Sequence, residues 1–258
     1  MSAVSGLDPP VATDLRRAQT LIAGARRIAV LTGAGMSADS GIPTFRQAQA
    51  ALWSDFDPMR LASPEGFRAD PARVWSWYAW RREKVGAVQP HAGYFALAAA
   101  AQRFEQMVLL TQNVDGLHAR AGSRNVIELH GNILHTTCFA QCGVRIDDPG
   151  ALPPGIPPRC PRCGSHLRPD VVWFGEMLDA ELLAQAERAA SDCEVMLVVG
   201  TSGLVHPAAG LPALAARSGA TIVTVNPEAT EIDAIARICL RATAAQTLPE
   251  LFDGQAAA

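Results

Sequence analysis

The chain has no long apolar run, no block of like charge and almost no lysine. Each absence removes a class of protein. Apolar runs such as "VMLVVG" are far too short to span a bilayer, so no membrane partner is expected. The first residues hold no basic region followed by an apolar run. No signal peptide is therefore expected, and the cytoplasm is the default location. The formal net charge is −3 and no basic tract is present, so direct nucleic-acid binding is not expected. Lys84 is the only lysine, a compositional bias without functional content. No internal repeat is present.

What is there is 258 residues, about half of them apolar, enough for one large domain or a domain with a small module. Apolar runs ending in Gly, Asn or Asp recur at 27–33, 107–116, 195–202 and 221–228, with weaker ones at 125–131 and 237–242. They are apolar on both faces, as buried parallel strands are. Helix-like segments at 11–26, 92–104, 180–191 and 207–217 alternate with them, so the fold class is α/β. Residues 41–91 and 133–169 break the pattern. The expected organisation is a Rossmann-like, doubly wound parallel sheet from 11–40, 104–132 and 170–252. A small module comes from 41–103 and 133–169, and 1–10 and 253–258 are unstructured tails.

"RIAVLTGAGMSA" reads as a strand, a glycine turn and a helix start. Gly33, Gly35 and Ala38 fit G-x-G-x-x-[GA], a turn that lets backbone approach a pyrophosphate. A dehydrogenase would place a strand ending in Asp or Glu about 20 residues further on to hold a ribose. Here that region reads "QAQAALWSDFDP", which is not a strand.

Three residues lie between Cys138 and Cys142 and two between Cys160 and Cys163, with seventeen between the pairs. That is a zinc-ribbon spacing: a closed, tetrahedral, structural site for one zinc ion. Cys193 and Cys239 flank strands as ordinary buried thiols.

"GAGMSADSGIPTFR", "TQNVDGLH", "LHG", "GTS" and "VNPE" occur in this order. Together they closely resemble the sirtuins, NAD-dependent protein-lysine deacylases, over residues 15–252. The resemblance implies that NAD is consumed as a cosubstrate: the acyl oxygen attacks the ribose carbon as nicotinamide leaves. Products are free lysine, nicotinamide and O-acyl-ADP-ribose. His130 matches the catalytic base, although a histidine at a strand end can equally be structural. Asn113 would order the ribose and a water, and Asp115 would meet the nicotinamide amide. Ser37 and Ile42 would line that pocket, with Gly33, Ala34, Gly35 and Gln112 around the dinucleotide. Phe45 would shield the reactive carbon and Arg46 would face the phosphates. Gly200, Thr201 and Ser202 would meet phosphate or ribose. Asn226, Pro227 and Glu228 would hold the adenosine ribose, and Ala244 would touch adenine. The backbone of Val172, Trp173, Phe174 and Gly175 would pair with the substrate peptide as an added strand. His118 reads as structural.

"VWSWYAWRREK" at 74–84 reads as a helix, and Tyr78 and Arg81, at i and i+3, share a face. Either they belong to a packing stripe, or they form a receptor for a carboxylate. The pair matches sirtuins that remove succinyl or malonyl groups, so those acyl-lysines, with acetyl-lysine, are the expected substrates. The alternatives are a deacetylase only, a mono-ADP-ribosyltransferase, and a non-catalytic NAD-binding zinc module.

Overall fold

The computed structural model describes residues 9–44, 58–147, 150, 152 and 155–253. Six short parallel strands form the main sheet: β1 (Arg27–Thr32), β2 (Gln106–Thr111), β3 (Val126–Glu128), β7 (Val195–Val199), β8 (Thr221–Val225) and β9 (Ile238–Leu240). Each expected strand is found, trimmed at its end. Strands buried on both faces must be apolar on both, which is why they read so plainly. One face is covered by Leu15 and Ile22 of helix Pro9–Ala23, Leu97 of helix Ala92–Ala100 and Leu251 of helix Ala244–Asp253. The other is covered by Ala186 and Ala190 of helix Ala180–Asp192 and Leu211 and Ala215 of helix Leu211–Arg217. Helix Pro9–Ala23 begins inside the stretch expected to be an unstructured tail.

The strand order is β3-β2-β1-β7-β8-β9. The chain therefore winds one way from β1 and the other way from β7. The crevice at the carboxyl ends of β1 and β7 is the topological switch point, where open α/β sheets bind their ligands.

A second sheet is antiparallel, in the order β5 (Arg145–Ile146), β4 (Gly131–Cys138), β6 (Leu167–Val171). Against it lie helices Pro58–Leu61, Pro64–Ala69 and Pro71–Ala87. The last starts sharply because Pro71 sits at its first turn and the Asp70 side chain accepts from Arg73 N–H. Phe67, Val74, Tyr78, Ile133 and Trp173 share one small core between helices and sheet. Arg82 ties the two together. Its guanidinium donates to the carbonyls of Ile133 (2.6 Å) and His135 (2.8 Å) and to Thr136 Oγ1 (2.9 Å).

Candidate active site

The turn after β1 meets the turn after β7 in close contact. Gly33 N–H donates to the Val199 carbonyl and Gly35 N–H to the Gly200 carbonyl, at 2.9 and 2.8 Å. Gly200 has φ +60°, and a Cβ there would lie 2.3 Å from Met36 N. A Cβ on Gly33 would lie 2.7 Å from Thr201 Cβ. The glycines at this turn are thus required by loop-on-loop packing, whatever ligand they also admit. The expected helix start is replaced by two 3₁₀ turns, Ala34–Met36 and Ala38–Ser40. Tight i→i+3 bonds form here because the turn must bend back at Gly41 (φ +92°) toward the half-buried Ile42.

Ser37 is the hub of a buried network. Its hydroxyl donates to Asp115 Oδ2 at 2.6 Å and accepts from Asn113 Nδ2 at 2.9 Å. With its one proton spent on the carboxylate, Ser37 must accept from the Tyr94 hydroxyl, 2.7 Å away. Asn113 Nδ2 also donates to the Gly33 carbonyl, and Asp115 Oδ1 receives Leu117 N–H. Burial raises the Asp115 carboxyl above its ordinary value, while Ser37, Leu117 N–H, Arg120 and Arg81 pull it back. Tyr94, absent from the sequence reading, is raised by burial and then by Asp115.

His118 lies below this network, buried, with Nε2 3.0 Å from Thr32 Oγ1. Burial pushes it down to about 3, so it is neutral. Its place agrees with a structural role.

His130 stands half-buried between β3 and β4, with Nδ1 3.0 Å from the Gln112 carbonyl. A carbonyl only accepts, so Nδ1 carries the hydrogen and Nε2 is the basic nitrogen. Burial lowers its pKa, and the hydrogen bond to Gln112 raises it in part. The imidazole is thereby neutral and proton-accepting near neutral pH.

Gln112 Nε2 donates to Thr201 Oγ1 (3.0 Å) and Asn226 Nδ2 to the Thr201 carbonyl (3.1 Å), so the ends of β2, β7 and β8 meet at Thr201. Ser202 is half-buried beside it, and Pro227 and Glu228 form the exposed turn after β8. Ala244 opens the last helix, and its carbonyl packs against Gly93. Phe45 and Arg46 lie outside the described residues.

The segment after β6 is held more closely than an open strand edge. The strand ends at Val171, and the next three N–H groups are already spent. Val172 donates to the His130 carbonyl (2.9 Å), Trp173 to Glu176 Oε2 (2.8 Å) and Phe174 to the Ala62 carbonyl (2.9 Å). A peptide strand added here must be held by other groups of the segment. Trp173 is a core residue, 2% exposed, whereas Phe174 is exposed. Arg168 fixes this turn. It forms a two-pronged ion pair with Glu176 (2.5 and 2.9 Å) and stacks 3.4 Å from the Trp173 ring centroid. Neither Arg168 nor Glu176 carries a local signal that would reveal the pairing.

Tyr78 and Arg81 do share a face. The Arg81 Cζ lies 5.4 Å from the Tyr78 ring centroid and 4.8 Å from that of Trp77. Tyr78 is 2% exposed, and its oxygen accepts from Trp173 Nε1 at 2.9 Å. The Arg81 charge lowers the pKa of both Tyr78 and Asp115 against the larger upward effect of burial.

At the far end of the small sheet the sulfurs of Cys138, Cys142, Cys160 and Cys163 all lie within 4.8 Å of one another. Two of the separations are 3.4 and 3.5 Å, and all six cysteines are free thiols. Four sulfurs at about 2.3 Å from a tetrahedral zinc are about 3.8 Å apart, so the cluster fits one structural zinc ion.

The class follows from the architecture: a Rossmann-like fold whose switch-point crevice suits a dinucleotide, joined to a zinc-ribbon module. Comparison with known proteins narrows it. The Sir2 family model matches residues 33–207. An NAD-dependent protein deacylase of Methylococcus capsulatus is 50% identical over 239 residues, covering 88% of this chain and 92% of that one. The crystal structure of a Sir2 homolog–NAD complex matches with a TM-score of 0.85 and 43% identity, covering 93% of each chain. A Sir2 complex with deacetylated p53 peptide and 3′-O-acetyl ADP-ribose matches with a TM-score of 0.81 and 30% identity, covering 93% of this chain and 98% of that one. The chain belongs to the Sir2 family, and as an enzyme it is an NAD-dependent protein deacylase that uses NAD. No helix among the described residues is long and apolar enough to cross a membrane.

Proposed function

We propose that this enzyme removes succinyl and malonyl groups, as well as acetyl, from lysine side chains of proteins. The observation that carries the reading is an unspent pair of anion-binding groups. Tyr78 Oη accepts from Trp173, and its own proton meets no acceptor among the described residues. Arg81 beside it makes no ion pair or hydrogen bond to a described residue; its guanidinium lies over the Trp77 and Tyr78 rings. A buried phenol and a neighbouring guanidinium are expensive to leave so, and a carboxylate satisfies both. A plain acetyl group ends in a methyl and offers neither partner anything.

The residue roles follow the geometry. NAD supplies the activated ribose carbon that receives the acyl oxygen. Asn113 and Asp115, locked by Ser37, present a carboxamide and a carboxylate to the nicotinamide half. Gly33, Ala34, Gly35, Thr201, Ser202, Asn226 and Glu228 line the crevice toward the adenosine half. His130 takes a proton at Nε2. Acylated proteins are the substrates, in keeping with the peptide bound by the Sir2 relative above. Six free thiols suit a reducing, cytoplasmic setting.

The test is turnover with NAD and matched peptides. Arg81→Met should cut kcat/KM for succinyl-lysine about ten- to a hundredfold and barely alter it for acetyl-lysine. Equal losses on both would reduce the pair to a packing element. Label from NAD on protein would favour ADP-ribosyl transfer, and binding without turnover a non-catalytic module.

A further inference from the structure

A phenol hydroxyl lies in the plane of its ring and has two favoured directions for its proton. The Trp173 indole N–H approaches the Tyr78 oxygen at 2.9 Å and fills one of them, because an N–H only donates. The Tyr78 proton must then point the other way. Trp173 itself is held from three sides. Its ring lies 3.4 Å from the Arg168 guanidinium and 5.3 Å from the Phe67 ring, and its backbone N–H donates to Glu176 Oε2. Arg168 and Glu176 are locked to each other by the two-pronged ion pair. One residue before it, Val172 N–H donates to the His130 carbonyl, so the backbone that carries the indole is tied to the strand end at His130.

We propose that Trp173 is a specificity-determining positioning residue: its indole N–H orients the Tyr78 hydroxyl to donate toward the acyl group, favouring acyl chains that end in a carboxylate. The inference rests on the carboxylate-pocket reading and adds a residue to it. Trp173 touches no acyl atom. It acts by removing the orientation in which the phenol would offer a lone pair, and hence repulsion, to an anionic substrate.

The experiment measures kcat/KM on succinyl-lysine and acetyl-lysine peptides for wild type, Trp173→Phe, Tyr78→Phe and the double variant. Trp173→Phe should lower the succinyl-to-acetyl ratio about fivefold, mostly through KM for the succinyl peptide. In the Tyr78→Phe background the same change should leave the ratio unaltered, since the hydroxyl it orients is gone. Equal losses on both peptides, or an undiminished effect in the double variant, overturn the inference. If Trp173→Phe does not fold, 3-benzothienylalanine at position 173 removes the N–H while keeping the ring shape, and the same ratio is read. A selective Arg81→Met with an unselective Trp173 variant sinks this inference alone; a wild type inert toward succinyl-lysine sinks the pocket as well.

Discussion

At the scale of single residues, the site depends on a few protons held in fixed places. His130 bears its hydrogen on Nδ1 because Gln112 offers a carbonyl there. Replacing it with Ala should nearly abolish deacylation while NAD binding survives, since the groups proposed to face the dinucleotide lie on other strand ends. Retention of more than about a tenth of wild-type turnover would remove His130 from the role of base. The pH profile carries the same point. Burial lowers the His130 pKa, so the base form persists to more acid pH than for a free histidine, near 6.5. Activity should fall with decreasing pH through a midpoint below about 6.5; a midpoint above it would contradict the burial described. The positions of His130, Asn113 and Asp115 were legible because each follows directly on a readable strand. Tyr94, Arg168 and Glu176 were not. Their partners, at Ser37 and within a buried turn, are defined only once distant segments meet.

At the scale of elements, the two loops at the switch point are one unit. The turn after β1 fits only if residue 200 lacks a side chain. Gly200→Ala would set a Cβ 2.3 Å from Met36 N at φ +60°. The expected cost is about 1–3 kcal/mol, seen as a thermal midpoint lower by roughly 3–10 °C. NAD affinity should fall too. An unchanged midpoint would mean the loops part easily and the interlock is not a constraint. The strands were readable from sequence because burial on both faces writes a continuous apolar run. The 3₁₀ turns after Gly33 were not, because a glycine turn with small residues beyond it suits an α-helix equally well. The loss of strand at Val172 was hidden for a related reason: "VVWF" is apolar whether it pairs as a strand or plugs a core.

At the scale of the whole molecule, the crevice has two walls, one from the large sheet and one from the small module. The cysteine spacing revealed the ribbon, but not that the ribbon's inner end abuts His130. Cys160→Ala should leave three thiolates, release the metal and destabilise the small module. Elemental analysis of wild type should give about one zinc per chain. Iron with visible absorbance, or a metal-free active preparation, would refute the zinc assignment. His130 should be affected only indirectly, because the sulfurs lie at the opposite end of β4 and β6, roughly 13 Å along β6.

The ribbon enters the chain at Gly131 and leaves it at Val171, and these two residues are paired. Gly131 has φ +78°, and a Cβ there would strike the Asp170 carbonyl at 2.2 Å. Just outside this neck, Val172 N–H bonds the His130 carbonyl. Chain entry and exit therefore coincide, as they do where one domain is spliced into a surface loop of another. A doorway of this kind lets the two ends of the insertion be fixed by each other as well as by the large sheet. The paired doorway, rather than the length of chain beyond it, is what holds the histidine and tryptophan in register.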